Sequence, residues 1–241
     1  MKKAALLFLL LPFATFAQLN GLIKKASEKY STVKNVPIGG TDIAAGLKEA
    51  LNNGVEKQVT KLTSVDGFYK NEAVKILMPG ELQKVDKTLR KVGLGNLADD
   101  GIKSLNRAAE DAVKEATPVF VAAIKNMSFA DAKNILLGND NAATTYLQGS
   151  TSSELYKKFL PIVQQSIGKV GADKIWNSLI TKYNAVPLTQ DVNPDINDYV
   201  TQKAMEGVFK MIAVEEKNIR TDLSARTSPL LKKVFAMQDS K

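Results

Sequence analysis

The chain of 241 residues contains no cysteine and no histidine. Without cysteine there is no disulfide, thiol nucleophile or thiolate metal site, and no cysteine to carry a lipid anchor. Without histidine, His-dependent triads, HExxH zinc sites and the usual neutral-pH proton shuttle are excluded. Carboxylates, Lys, Tyr, Ser and Thr remain as candidate catalysts. Aromatic residues are scarce as well, 7% of the chain with a single Trp, so a sugar-binding cleft would have little to build its platforms from. A hydrolase working through two carboxylates needs neither His nor Cys, and it stands as the weaker alternative from a different class. Nucleic acid is disfavoured because no dense Arg tract and no aromatic–basic alternation occurs. No internal repeat of about 20 to 50 residues is visible.

What the chain does have begins at its first residues, MKKAALLFLLLPFATFAQ. Lys2 and Lys3 precede an apolar run from Ala4 to Phe13, and Thr15-Phe16-Ala17 places small residues where a signal peptidase reads them. The run is shorter than the ~20 apolar residues of a spanning helix. Residues 1–17 are therefore expected to be a signal peptide cut before Gln18, and no transmembrane segment is expected in the mature chain. Residues 18–40 read as an amphipathic segment and linker, with Leu19, Leu22, Ile23, Ala26 and Tyr30 on one face and Lys24, Lys25 and Lys29 on the other. Residues 41–241 read as a single helical domain. The formal charge is +8, of which Lys2 and Lys3 contribute 2, leaving +6 after processing. That excess favours anionic surfaces, so anionic lipid or another envelope component is the candidate partner.

Almost every long periodic segment of residues 41–241 reads as helix, whereas residues 64–80 are less regular, with Gly67 and Pro79 punctuating them, and a polar loop runs through Pro187 and Pro194. Thr41 reads as the cap of a helix with the stripe Ile43, Leu47, Leu51, Val55, Val59 and Leu62. The longest stripe runs from Ile102 to Met127, is rich in alanine (Ala108, Ala109, Ala112, Ala116), and should be kinked or divided near Pro118. Ser128 with Asp131, and Thr151 with Glu154, both fit a capping box, and Gly138 and Gly149 fit helix stops. Pro161 suggests a further kink. A long helix is expected from about Asp198 to Arg220, and Ser228-Pro229 opens a last one. The fold class predicted is all-α, an irregular bundle of roughly eight to ten helices.

Three sets of polar or aromatic residues merit attention. Asn106, Arg107 and Glu110 interrupt an otherwise apolar helix, and Glu215, Glu216 and Arg220 offer a counterpart on the late helix, with Glu216 and Arg220 in the favourable i, i+4 order. They would form either a charged pocket for an anion or polar head group, or a buried ion-pair network that fixes helix register. Trp176 and Tyr183 lie seven apart on one helix face and could line a groove, core packing being the plainer use. Asp191, Asn193, Asp195 and Asn197 alternate like the start of a calcium loop, but Ile196 stands at the turn-glycine position and Gln202 at that of the bidentate glutamate. An Asx-turn and helix cap suit them better. No metal site and no cofactor is expected. Thr144, Thr145 and Tyr146 supply hydroxyls without a partner to activate one.

Read together, GLKEAL (46–51), NRAAE (106–110), AIKNM (123–127), DAKNIL (131–136), NAATTYL (141–147), EEKNIR (215–220) and ARTSPLLKKVF (225–235) make the chain resemble the bacterial domain-of-unknown-function family 4197. The likeness runs from about Ile43 to Phe235. It implies an exported helical envelope protein of a Gram-negative bacterium, hence a periplasmic location, and supplies no reaction, ligand or catalytic residue. Some members of that family carry a lipoprotein cysteine, and this chain departs from them there. The expected function is a binding or structural role in the cell envelope, with peripheral lipid binding as the first alternative.

Overall fold

A computed structural model describes residues 39–80, 95–169 and 195–239, with residues 83, 87, 90, 91, 93, 171, 173 and 181 between them. The signal and amphipathic segments, and Trp176, Tyr183, Asp191 and Asn193, lie outside the described residues. Among the described residues there are seven α-helices and one 3-10 turn, and the architecture is the irregular all-α bundle the sequence predicts. The helices are α1 (Gly40–Thr63), α2 (Gly95–Val113), α3 (Ala116–Asn126), α4 (Phe129–Leu137), α5 (Ala142–Gly168), α6 (Ile196–Thr221) and α7 (Pro229–Asp239). The 3-10 turn Leu223–Ala225 joins the last two. Residues 40–241 form one compact unit.

Helix α6 is the organising element. It packs on α5, α2 and α1, while α1 in turn receives α3, α4 and α7. The reason lies in its faces: Ile196, Val200, Val208, Ile212, Phe209 and Arg220 are all buried, a spread too wide for one stripe and suited to several neighbours. The alanine-rich α2 is covered as its composition suggests. Ala108, Ala109 and Ala112 have no exposed surface, and their small side chains let α5 and α6 approach closely. Phe120 of α3 meets Phe209 of α6 edge-on, with ring centroids 5.8 Å apart.

Several boundaries differ from expectation for physical reasons. Helix α1 already includes Gly40, so Thr41 sits inside its first turn rather than before it. The long alanine stripe is divided after Val113, upstream of Pro118, which occupies the first turn of α3 where its missing N–H costs nothing. Ser128 and Asp131 form the capping box of α4, and Gly138 ends it. The Thr151–Glu154 pattern makes no cap, and Gly149 stops nothing. Both lie within α5, whose stripe Ala143, Leu147, Thr151, Leu155, Phe159 continues through them, and the Thr151 hydroxyl donates back to Leu147 O at 2.6 Å. Helix α5 also continues through Pro161. That residue is exposed, so water can take the backbone acceptor it leaves one turn earlier.

Residues 64–79 form a long irregular crossing between α1 and the residues that lead to α2. Phe68, Val74 and Ile76 are buried along it. Phe68 fits against Gly207 of α6, where a Cβ would stand 2.7 Å from the ring. Gly67 packs onto the end of α1 so closely that a Cβ would lie 2.4 Å from Leu62 O. Asp66 adopts φ 68°, a left-handed conformation that Asp tolerates better than most residues.

Candidate functional site

Asn106 and Glu110 sit one turn apart on α2, facing the crossing at residues 64–79. The Asn106 amide acts as a backbone mimic: Oδ1 accepts Ile76 N–H at 2.8 Å, while Nδ2 donates to Ile76 O at 2.8 Å and to Ile102 O at 2.7 Å. Glu110 Oε1 accepts the Phe68 N–H at 3.0 Å and the Tyr69 N–H at 3.3 Å. Its Oε2 accepts from Arg107, whose other nitrogen donates to Asp66. Lys70 closes the network on Asp66 at 2.7 Å. The Lys70 ammonium, with Arg107, holds the Asp66 carboxyl below its ordinary range, and the Glu110 carboxylate, with Asp66, raises the Arg107 guanidinium above its own. This cluster is a clamp on irregular backbone.

The second cluster clamps a different corner. Glu216 caps α5 from outside: Oε1 accepts Ala143 N–H at 2.9 Å, and Oε2 accepts both the N–H and the hydroxyl of Thr144 at 2.8 Å. A carboxylate at a helix N-terminus satisfies orphan donors and meets the positive end of the dipole. It replaces the local cap, since Asn141 stands at the N-cap without a side-chain bond. Arg220 pairs with Glu216 at 2.7 Å and donates to Ile135 O at 2.8 Å and Leu136 O at 3.3 Å, the end of α4. One buried ion pair therefore joins the end of α4, the start of α5 and the body of α6. Glu215 points the other way, accepting from Lys57 at 2.7 Å and Gln58 at 2.8 Å on α1.

Arg107 and Glu110 thus bind the 64–79 crossing, whereas Glu216 and Arg220 bind the α4–α5 corner; among the described residues no hydrogen bond or ion pair links the two sets. Asp195 accepts the N–H groups of Asn197 and Asp198 as the N-cap of α6, the use the Asx-turn reading predicts. Among the described residues, no group of three His, Cys, Asp or Glu could hold a metal, and no helix is long and apolar enough to cross a membrane. Tyr146 is half-buried, and burial together with the Asp131 charge pushes its phenol above its ordinary pKa, away from use as a base.

Arg226 went unremarked in the sequence except as part of the ARTSPLLKKVF segment, yet it is among the most buried side chains. It donates to Ile219 O at 3.0 Å and Arg220 O at 2.9 Å at the end of α6, pairs with Asp239 of α7 at 2.8 Å, and lies over the Phe235 ring. It caps one helix and latches the next.

Two spaces remain. A void of ≈ 20 Å³ lies between α1, α6 and α7 beside Glu215, Glu216 and Arg220, room for a water but nothing larger. An open groove of ≈ 390 Å³ runs between α3 and α5.

Residues 38–236 match the family described as "Protein of unknown function (DUF4197)". The chain belongs to this family. Comparison with curated proteins and with solved structures gives no match. Both polar clamps, the α3–α5 groove and Arg226 therefore fall inside the matched DUF4197 span, while Asp239, the partner of Arg226, and the leader-like residues 1–17 fall outside it.

Proposed function

We propose that this DUF4197 member is an exported, non-catalytic domain of the bacterial cell envelope that acts by binding or by structural support. The observation that carries the reading is the state of its two best-placed carboxylates. Both oxygens of Glu110 and both of Glu216 are taken up by backbone N–H groups, a hydroxyl or an arginine. A general acid or base must have a free oxygen within reach of substrate, and neither offers one. The leader-like start, MKKAALLFLLLPFATFAQ, supports export to the periplasm. The lysine-bearing segment at residues 24–29 and the formal charge of +8, of which +6 remains once Lys2 and Lys3 are removed, make an anionic surface the first competing partner.

Expression of the full chain in a Gram-negative host tests this. The expected product is periplasmic, begins at Gln18, and carries extra mass in native but not denaturing mass spectra when a ligand or partner is retained. An unprocessed chain in the cytoplasm would overturn the export reading. Salt-sensitive co-sedimentation with anionic vesicles would make an anionic lipid surface the partner of the exported chain.

A further inference from the structure

The α3–α5 groove is lined by small apolar residues on one side and carries opposite charges on the other. Pro118, Val119, Ala122 and Ala123 of α3 line one wall, and Glu154 and Lys158 of α5 stand on the other. Its ≈ 390 Å³ lies within the range of small-ligand sites, about 300–1,000 Å³. Glu154 and Lys158 are one helical turn apart, in the order that favours an ion pair. Among the described residues they make no such pair, with each other or with any third group. Asn126, at the end of α3, adds an amide that can both donate and accept.

We propose that this groove binds a short zwitterionic peptide with small side chains, its ammonium on Glu154, its carboxylate on Lys158 and a peptide unit on Asn126. The proposal rests on the binding reading above and names its ligand class. The spacing suits it. The backbones at positions 154 and 158 are about 6 Å apart along the axis, and their flexible side chains can spread to the ~7–10 Å between the ends of an extended di- or tripeptide. The proline, valine and alanine side chains of the α3 wall offer apolar contact to methyl-sized side chains. A ligand with one charge would leave the other rim group unanswered, so the double charge is the discriminating feature.

The test is titration of the ¹⁵N-labelled protein with tri-alanine, followed by amide chemical shifts. Saturable shifts are expected at residues 118–126 and 150–158. The peptide acetylated at its amine and amidated at its carboxylate should bind about tenfold more weakly, and Glu154→Gln and Lys158→Met should each weaken tri-alanine about threefold. Both side chains are exposed, so the fold survives either change. Absence of saturable shifts, shifts confined to another surface, or equal binding of the blocked peptide would each overturn the proposal. Those results leave the export test untouched, because fractionation and processing are read independently of this groove.

Discussion

Asn106 is the clearest case of a side chain standing in for secondary structure. The crossing at residues 64–79 has no ladder of its own, and buried backbone groups without partners are costly. Asn106→Ala would orphan both the N–H and the carbonyl of the buried Ile76. The expected loss is about 2–6 kcal/mol, since each unsatisfied group costs about 1–3. Urea denaturation measures it, and amide exchange should rise first at residues 68–76; uniform exchange across the chain would refute the clamp. Glu216→Gln keeps the size but removes the charge opposite Arg220, whose side chain is 2% exposed. An uncompensated buried guanidinium predicts a loss of about 3–5 kcal/mol, and a change below 1 kcal/mol would mean the pair is not the joint it resembles. The sequence displayed these residues, because polar groups in an apolar stripe stand out and Glu216–Arg220 has helical spacing. Their partners could not be read, since Ile76, Ala143 and Ile135 are 30 to 85 residues away and contribute only backbone atoms. Arg226 gave no local signal at all, for its role depends on α6 ending where α7 turns back.

At the scale of elements, local rules succeeded where nothing larger competed. The Ser128–Asp131 box forms because α4 follows a break, and Asp195 caps α6 for the same reason. Thr151–Glu154 has a similar spacing and fails, because the apolar period of α5 runs through it and burial of Leu147, Leu155 and Phe159 outweighs one cap. A cap contributes about 1 kcal/mol, whereas each fully buried large side chain contributes about 1.5–3. Helix α7 offers a direct test of how separate elements are coupled. It is eleven residues long, too short to persist alone, and is held by Leu231, Val234 and Phe235 together with the Arg226–Asp239 latch. The Asp239 side chain is 41% exposed but Arg226 is only 2% exposed, so Asp239→Asn, which leaves a buried guanidinium without its carboxylate, should cost about 1–3 kcal/mol. Amide exchange should quicken in residues 229–239 and stay unchanged in α2 and α5. Equal quickening everywhere would mean that α7 unfolds only with the whole bundle.

For the whole molecule, the absence of histidine shapes the response to pH. No side chain with an ordinary pKa titrates between about pH 5 and 8. The resolved shifts fall outside that window on either side. Asp66 is lowered by Lys70 and Arg107, Asp131 by the Ser128 hydroxyl and N–H, Asp222 by Ser224, and Asp239 by Arg226, all from an ordinary value of 3.8. A folded pKa below the unfolded one contributes stability that is present above 3.8 and lost as pH falls through the depressed value. Lys70 is raised from 10.5 by Asp66, so its contribution is present below 10.5 and lost as pH climbs through the raised value. The urea midpoint should therefore be flat from about pH 5 to 9, fall below about pH 4 and fall again above about pH 10. A slope between pH 6 and 8 would contradict this. It would mean that a carboxylate or ammonium titrates far from its usual range, the displaced acid or base that catalysis at neutral pH requires. A flat profile is what the ion pairs of Asp66, Lys70 and Asp239 predict, since the groups with shifted pKa values hold their charge across that range.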